Sequence, residues 1–202
     1  SLFDLYSNFT FFLNDPVNGD GIQQHDSRLQ QGSNAQYLKP HRLGAASGYL
    51  TAGGNYHDNQ INVGVYSRIG RTPTGNVTLA NVRVANGAGY LQDSLAFFNG
   101  RMMVEGGLRY DVFRYDIRDR IDPQSSALQN AGRWQPKFGW SLTPVRRLPV
   151  TLHVNYGRGI ASLDARSITQ APERARLATT DFYQTGISAR AGRAAFSVSS
   201  FL

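Results

Sequence analysis

Asn99-Gly100 lies between two runs of alternating polarity, GYLQDSLAFF (Gly89 to Phe98) and RMMVEGGLRYDVFRYD (Arg101 to Asp116). Both residues tolerate the positive φ of a type I′ turn, so the dipeptide predicts a two-residue hairpin and fixes its register. Phe98 then faces Arg101, Phe97 faces Met102, Leu95 faces Val104, Leu91 faces Leu108 and Gly89 faces Tyr110. Successive side chains point to opposite faces of a strand, so these alternate pairs divide into a dry face and a wet one. The wet face collects Ser94 with Glu105, Gln92 with Gly107, Tyr90 with Arg109, and Asp111. That is too much polarity for a sheet-on-sheet core without partners. Asp93 is the misfit, because it falls on the dry face opposite Gly106 and calls for a bulge or a shifted register.

From Arg101 to Phe113 the second run has 13 residues. At roughly 3.3 Å per residue and a tilt near 45° it rises about 30 Å, the thickness of bilayer hydrocarbon. Phe97 and Phe98 at one end, with Phe113 and Tyr115 at the other, read as the two aromatic girdles of a transmembrane barrel. No apolar run approaches the roughly 20 residues of a membrane helix, so any spanning is by strands. A mean hydropathy of −0.37 is compatible with that, because only alternate residues of a barrel strand face lipid.

The chain of 202 residues contains no cysteine, which removes disulfides and thiolate metal sites from consideration. Its excess of 21 Lys and Arg over 14 Asp and Glu suits nucleic acid, anionic lipid headgroups or an acidic ligand. The arginines form no basic run but stand at segment ends, at Arg71, Arg118, Arg120, Arg146, Arg147, Arg174 and Arg176, which argues against nucleic acid.

Further alternating segments cover Ser1 to Leu13, Gln23 to Tyr37 (weakly), Ala45 to Tyr56, Trp134 to Leu142, Val150 to Tyr156, Phe182 to Arg190 and Ala194 to Leu202. Lys39-Pro40-His41 reads as a turn, and Pro136 belongs near a strand end or bulge. His57 to Val84 is either an excursion with its own hairpin or two more strands. Long connections (Asp15 to Ile22, His57 to Val84, Arg118 to Asn130, Gly159 to Thr180) alternate with short ones (Lys39 to His41, Asn99-Gly100, Val145 to Pro149, Ala191 to Arg193). This parity predicts an all-β, antiparallel up-and-down transmembrane β-barrel segment: a partial barrel of about 9–11 strands with short turns at one end and long loops at the other.

Enzymatic and metal signatures are missing from the sequence. His25, His41, His57 and His153 form no HxxxH or HExxH pair, no GxSxG occurs, and Gly157-Arg158-Gly159 lacks the third glycine of a dinucleotide loop. The acidic loop with Asn18, Asp20 and Gly21 has Pro16 and Ser27 where a calcium loop needs its first and last carboxylates. Asn8-Phe9-Thr10 and Asn76-Val77-Thr78 match the glycosylation sequon, but the first lies inside a strand. Neither catalysis nor a cofactor nor a metal is therefore expected.

FDLYSNFTFFLNDPVNGD, YLQD (Tyr90 to Asp93), GLRYD (Gly107 to Asp111), WQPKFGWSLTP and YGRG…DAR (Tyr156 to Gly159, Asp164 to Arg166), in this order, resemble the β-barrel of TonB-dependent outer-membrane receptors. The resemblance is strongest from Gly89 to Leu202 and thinnest from Gln23 to Val84. It implies a barrel of about 22 strands around a plug. It further implies an outer-membrane location amid lipid and lipopolysaccharide, coupling to TonB through an N-terminal segment, and uptake of a scarce small molecule such as a siderophore or other metal chelate, a vitamin or an oligosaccharide. SLFDLY carries no signal-peptide pattern and AAFSVSSFL ends in mid-alternation, so residues 1–202 are expected to be part of one barrel domain, with signal peptide and plug outside them. Candidate ligand contacts in the outer loops are His57, Arg68, Arg71, Arg158, Arg166 and Arg174, where guanidinium groups can steer and bind an anionic chelate. Two other readings predict different things. A complete small porin or adhesin barrel needs an even strand count. A soluble basic β-protein binding polysaccharide or nucleic acid needs aromatics interleaved with arginine on one face.

Overall fold

The computed structural model describes residues 1–12, 15–17, 19–70, 72–145, 149–161 and 177–202. Nine strands follow one another: β1 (Leu2–Phe11), β2 (Asp20–Leu43), β3 (Ala46–Ile69), β4 (Thr72–Phe97), β5 (Met102–Asp119), β6 (Ala127–Leu142), β7 (Val150–Ala161), β8 (Ala178–Ala191) and β9 (Ala194–Phe201). They form one sheet in the order β1 to β9, every neighbouring pair antiparallel. This is the expected up-and-down segment, open at both edges.

The Asn-Gly hairpin keeps its register. Phe97 pairs with Met102, Leu95 with Val104, Leu91 with Leu108 and Gly89 with Tyr110. Asn99 and Gly100 take φ of 57° and 81°, and the Arg101 N–H donates to the Phe98 carbonyl at 3.4 Å. Phe98 also lies in the left-handed region, at φ 53°, an unusual conformation for an aromatic residue, and its ring packs on Phe97 at 6.5 Å.

Three expectations about connections need correction. Lys39-Pro40-His41 is not a turn: β2 runs through it to Leu43, and Gly44 at φ 60° makes the bend. Pro40 is tolerated because β1 pairs only with Asp20–Leu29, leaving that edge of β2 open. His57 to Val84 is neither loop nor extra hairpin but the outer halves of β3 and β4, of 24 and 26 residues, which continue to a turn between Ile69 and Thr72. Arg118 to Asn130 shrinks to a connection holding the 3₁₀ turn Pro123–Ser125, with Asp122 accepting from the Gln124 N–H at 3.1 Å. At roughly 3.3 Å per residue β3 and β4 are about 80 Å long, more than a single polarity pattern needs.

Pro136 sits in mid-strand opposite Leu108, where β6 is paired with β5. The β6–β7 ladder spans only Lys137–Leu142 against Gly157–Leu152 and stops at this proline, whose missing N–H cannot extend it. The two register slips between β3 and β4, beside Val65/Tyr66 and Ser67/Arg68, leave Val77 and Thr74 as the unpaired bulge residues.

Alternation sorts the side chains into two faces, and each face changes character along the strands. Near the short turns the more exposed, open face carries Leu91, Leu95, Val104, Leu108, Tyr110 and Val112. The inner face there is polar, with Ser94, Gln92, Glu105, Arg109 and Asp111. Beyond Gly87 and Val112 the assignment reverses. The open face turns to Arg83, Arg114 and Asp116, while the inner face builds an apolar cluster from Val82, Tyr115 and Ile117, with Ile61, Val84 and Phe113 packed on it. Tyr115 is fully buried in this cluster. Phe113 and Tyr115 are therefore not an outward girdle; they stack on the inner face at 6.0 Å. That reversal hid the outer halves of β3 and β4 from a reading by periodicity.

Asp93 is held on the open face without a bulge. His41 reaches across Gly48 from two strands away and places Nε2 2.7 Å from an Asp93 carboxylate oxygen. Only glycine leaves that path open: a Cβ at position 48 would lie 2.5 Å from the Ser94 carbonyl oxygen and 3.2 Å from His41 Nε2.

Candidate ligand-facing wall

On the inner face, where polar gives way to apolar, Asp111 is the centre of a network. Its side chain is 4% exposed. Arg109 donates to it through Nε at 2.6 Å and Nη2 at 2.8 Å, Asn86 donates at 3.2 Å, and Gln135 also donates to it. Arg109 Nη2 in turn reaches Asn55 at 2.8 Å. Side chains from β3, β4, β5 and β6 are thus tied into one wall by a single carboxylate, with several charge-assisted bonds that lock their orientation.

His57 stands directly above this network, pairing with Asn86 across β3 and β4. It is exposed on the inner face rather than at a strand end, between the Asp111 network and the apolar cluster of Val82, Tyr115 and Ile117. The inner face thus carries a rigid polar network, an exposed imidazole and a buried apolar cluster in vertical succession.

The open face at the same height is locked separately. Asp58 is covered completely, accepting from Arg83 at 2.7 and 3.2 Å, from Gln60 at 3.0 Å and from Gln31 at 3.2 Å. The side chains bonded to it are those of its cross-strand and same-strand neighbours Arg83, Gln60 and Gln31. It stands beyond the apolar stretch of the open face, among Arg83, Arg114 and Asp116. The Arg83 guanidinium, aided by the two glutamines, lowers the Asp58 carboxyl to about 2. A carboxyl depressed from its ordinary value near 3.9 stabilises the fold above that value, and the contribution is lost as pH falls through about 2. Amide protection factors along the outer halves of β3 and β4 should therefore fall between about pH 4 and pH 2, and Asp58→Asn should flatten that response. An unchanged profile in the variant would show that Asp58 does not hold these strands.

A family model described as TonB dependent receptor-like, beta-barrel, matches residues 2–199. The chain belongs to the TonB-dependent receptor β-barrel family. No curated protein matches it. Among solved structures, the TonB-dependent receptor barrel is similar to the ferric citrate transporter FecA in its unliganded form, with a TM-score of 0.79 and 13% identity, over 90% of this chain and 28% of that one. It is similar also to BauA, the ferric preacinetobactin receptor from Acinetobacter baumannii, with a TM-score of 0.71 and 13% identity, over 91% of this chain and 30% of that one. The ferric yersiniabactin uptake receptor FyuA from Yersinia pestis gives a TM-score of 0.57 at 8% identity, over 90% and 29%. At such identities the likeness is one of fold. The chain spans less than a third of the length of each of these structures. These relatives are transporters and receptors, not enzymes.

In the TonB-dependent receptor barrel two of the candidate arginines, Arg68 on β3 and Arg158 on β7, lie among the described residues. Arg158 is at the outer end of β7, paired with Asp181 of β8 at 2.8 and 2.9 Å, and Tyr156 donates its hydroxyl to the same carboxylate at 2.9 Å. Arg68 packs along Gly21 near the end of β3, and its buried Nε has no hydrogen-bond partner among the described residues. Arg71, Arg166 and Arg174 lie outside the described residues, as do Asn18, Arg146, Arg147 and Arg176. No group of three metal-ligating side chains occurs among the described residues. No helix is long and apolar enough to cross a membrane, which leaves strand spanning untouched. Sequence reasoning placed Arg109 and Glu105 on the wet face correctly, but it missed the Asp111 network and the Tyr115 cluster. The available signal was the run of apolar residues that changes parity after Val112.

Proposed function

We propose that the receptor carrying this chain stands in the outer membrane and imports a ferric chelate, driven through TonB. The reversal of the two faces supports this reading most directly. Apart from Asp93, which is paired with His41, the open face of β4 is apolar from Phe97 to Gly87. At roughly 3.3 Å per residue and a 45° tilt, that stretch rises about 23 Å, close to the 25 Å apolar band of outer-membrane barrels. Above it the outward face is charged and suits lipopolysaccharide or water, while the inward face exposes His57 beside a buried apolar cluster. His57, on the inner face, is the described residue we assign to ligand contact, with Arg71, Arg166 and Arg174 in the outer loops, while Arg68 shares the outward parity of Asp58 along β3. Arg158, held by Asp181, is assigned to the outer membrane interface, just above Tyr156 and Tyr183. The short turns face the periplasm, and the plug and TonB-engaging segment belong to the rest of the receptor.

The test is uptake of iron-55 citrate and catecholate chelates by cells producing the whole receptor, with and without TonB. Accumulation of at least one chelate that disappears without TonB is expected; accumulation that persists without TonB, or none with any chelate, overturns the proposal. Membrane placement also makes the Asp93–His41 pair a sensitive probe. His41→Leu should destabilise the barrel by about 1–2 kcal/mol, because an unpaired carboxylate then faces lipid, whereas Asp93→Leu should be neutral or stabilising. Unfolding in urea from phospholipid vesicles reads both, and equal effects would contradict an outward lipid face.

A further inference from the structure

The inner face of strands β6 to β9 carries cations without counter-charge. These four strands contain one acidic residue, Asp181, and it lies on the open face, bonded to Arg158. Arg133 and Lys137 share the inward parity of Gln135, and Arg190 that of Gln184. All three are exposed, and their side chains make no hydrogen bond or ion pair among the described residues. Near the short turns the same face holds a row of hydroxyls. Thr143 and Thr151 meet at 3.0 Å, Thr151 pairs with Ser188, and Ser188 pairs with Ser197, so the row runs from the end of β6 to β9. Arg190 stands two residues nearer the turn, and with these hydroxyls it lines a cavity of about 520 Å³, a size that suits a small molecule. The sequence concentrates positive charge at this end. Residues 38–48, 95–104, 142–151 and 187–197, which contain the four short turns, hold seven Lys and Arg and no Asp or Glu, leaving fourteen cations against fourteen acids elsewhere. The net charge of +7 therefore belongs to the short-turn end.

We propose that this cavity binds a small carboxylate anion, with its oxygens on the Arg190 guanidinium and the hydroxyls of Thr151, Ser188 and Ser197. A guanidinium offers its N–H donors in a fork that matches a carboxylate, and each hydroxyl adds one donor. No carboxylate of the protein lines the cavity to compete for them. Uncompensated charge along a wall raises the local concentration of the opposite ion, and Lys137 and Arg133 continue that field upward along β6. The inference deepens the import reading above and rests on it for its role: the imported chelate carries carboxylates, ordinary ligands of hard metal ions, and meets this cavity last, at the periplasmic end.

The chain has no cysteine, so Ser197→Cys puts a single thiol of this segment into the cavity. In the whole receptor, otherwise free of cysteine and without TonB, labelling of that thiol by N-ethylmaleimide is followed as citrate or the neutral triethyl citrate is added. Citrate should slow labelling saturably, and triethyl citrate should not. Arg190→Gln should raise the half-protecting citrate concentration about tenfold, the range of one charge-assisted hydrogen bond, and Ser188→Ala about threefold. Heat-modifiable migration checks that each variant is folded. Labelling that citrate leaves unchanged, or that both compounds slow equally, overturns the anion site. A thiol reached only in urea overturns it in favour of coverage by another part of the receptor. Because binding is read without TonB, protection without uptake upholds the cavity and strikes the import reading, whereas uptake without protection strikes the cavity alone.

Discussion

Asp111→Ala is expected to destabilise the barrel by about 3–5 kcal/mol, because it removes one partner of a buried ion pair and leaves the other without compensation. Arg109, 28% exposed at its side chain, would keep only Asn55 as a partner, and the amides of Asn86 and Gln135 would lose their shared acceptor. Asp111→Asn retains an acceptor of the same shape and should cost less, about 1–2 kcal/mol. The paired variant Arg109→Met with Asp111→Leu should recover part of the loss, since no charge is then stranded. Urea unfolding of the whole receptor in vesicles, followed by loss of heat-modifiable migration, measures all three. A single variant no worse than the pair would mean that the network is not coupled.

Tyr115→Ala should cost about 3 kcal/mol, within the range for emptying an aromatic site in a packed cluster. Tyr115 is fully buried against Val82 and Ile117, with Ile61, Ala80, Val84, Phe113, Ala127 and Ala131 around it. Tyr115→Phe keeps the ring and should cost less than about 1.5 kcal/mol, the range of one hydrogen bond. Because the cluster sits on the outer halves of the strands, the damage should show first as proteolytic cleavage there, with the short-turn half still protected. Uniform exposure of both halves would contradict two separately packed levels.

What the sequence disclosed follows from the range of the interactions. Asn99-Gly100 sets a register through local backbone chemistry, so every pair from Phe97–Met102 to Gly89–Tyr110 was legible. The polar character of Arg109 and Glu105 on the inner face follows from the same alternation. Pro40 reads as a turn in the sequence, but the open edge of β2 accommodates a proline within the strand. Asp93 looked like an error of register because its partner His41 is 52 residues away and reaches it only over Gly48. The Asp111 network was invisible for the same reason, since Asn86 and Gln135 lie 25 and 24 residues from it along the chain. The outer halves of β3 and β4 read in the sequence as an excursion with its own hairpin or as two more strands, because their apolar side chains belong to the opposite face from those below. Periodicity within one window cannot report such a change of side.

The proline that ends the β6–β7 ladder divides the wall mechanically. Twenty-three pairs join β2 to β3, but only six, Lys137–Leu142 with Gly157–Leu152, join β6 to β7. Among the described residues, six ladder pairs weld a six-strand panel to a three-strand panel. When the rim of such a sheet is pulled, tension concentrates at the shortest weld, and the panels part from the top of that seam downward. Pro136 thus sets where this wall would tear and how far down the tear begins.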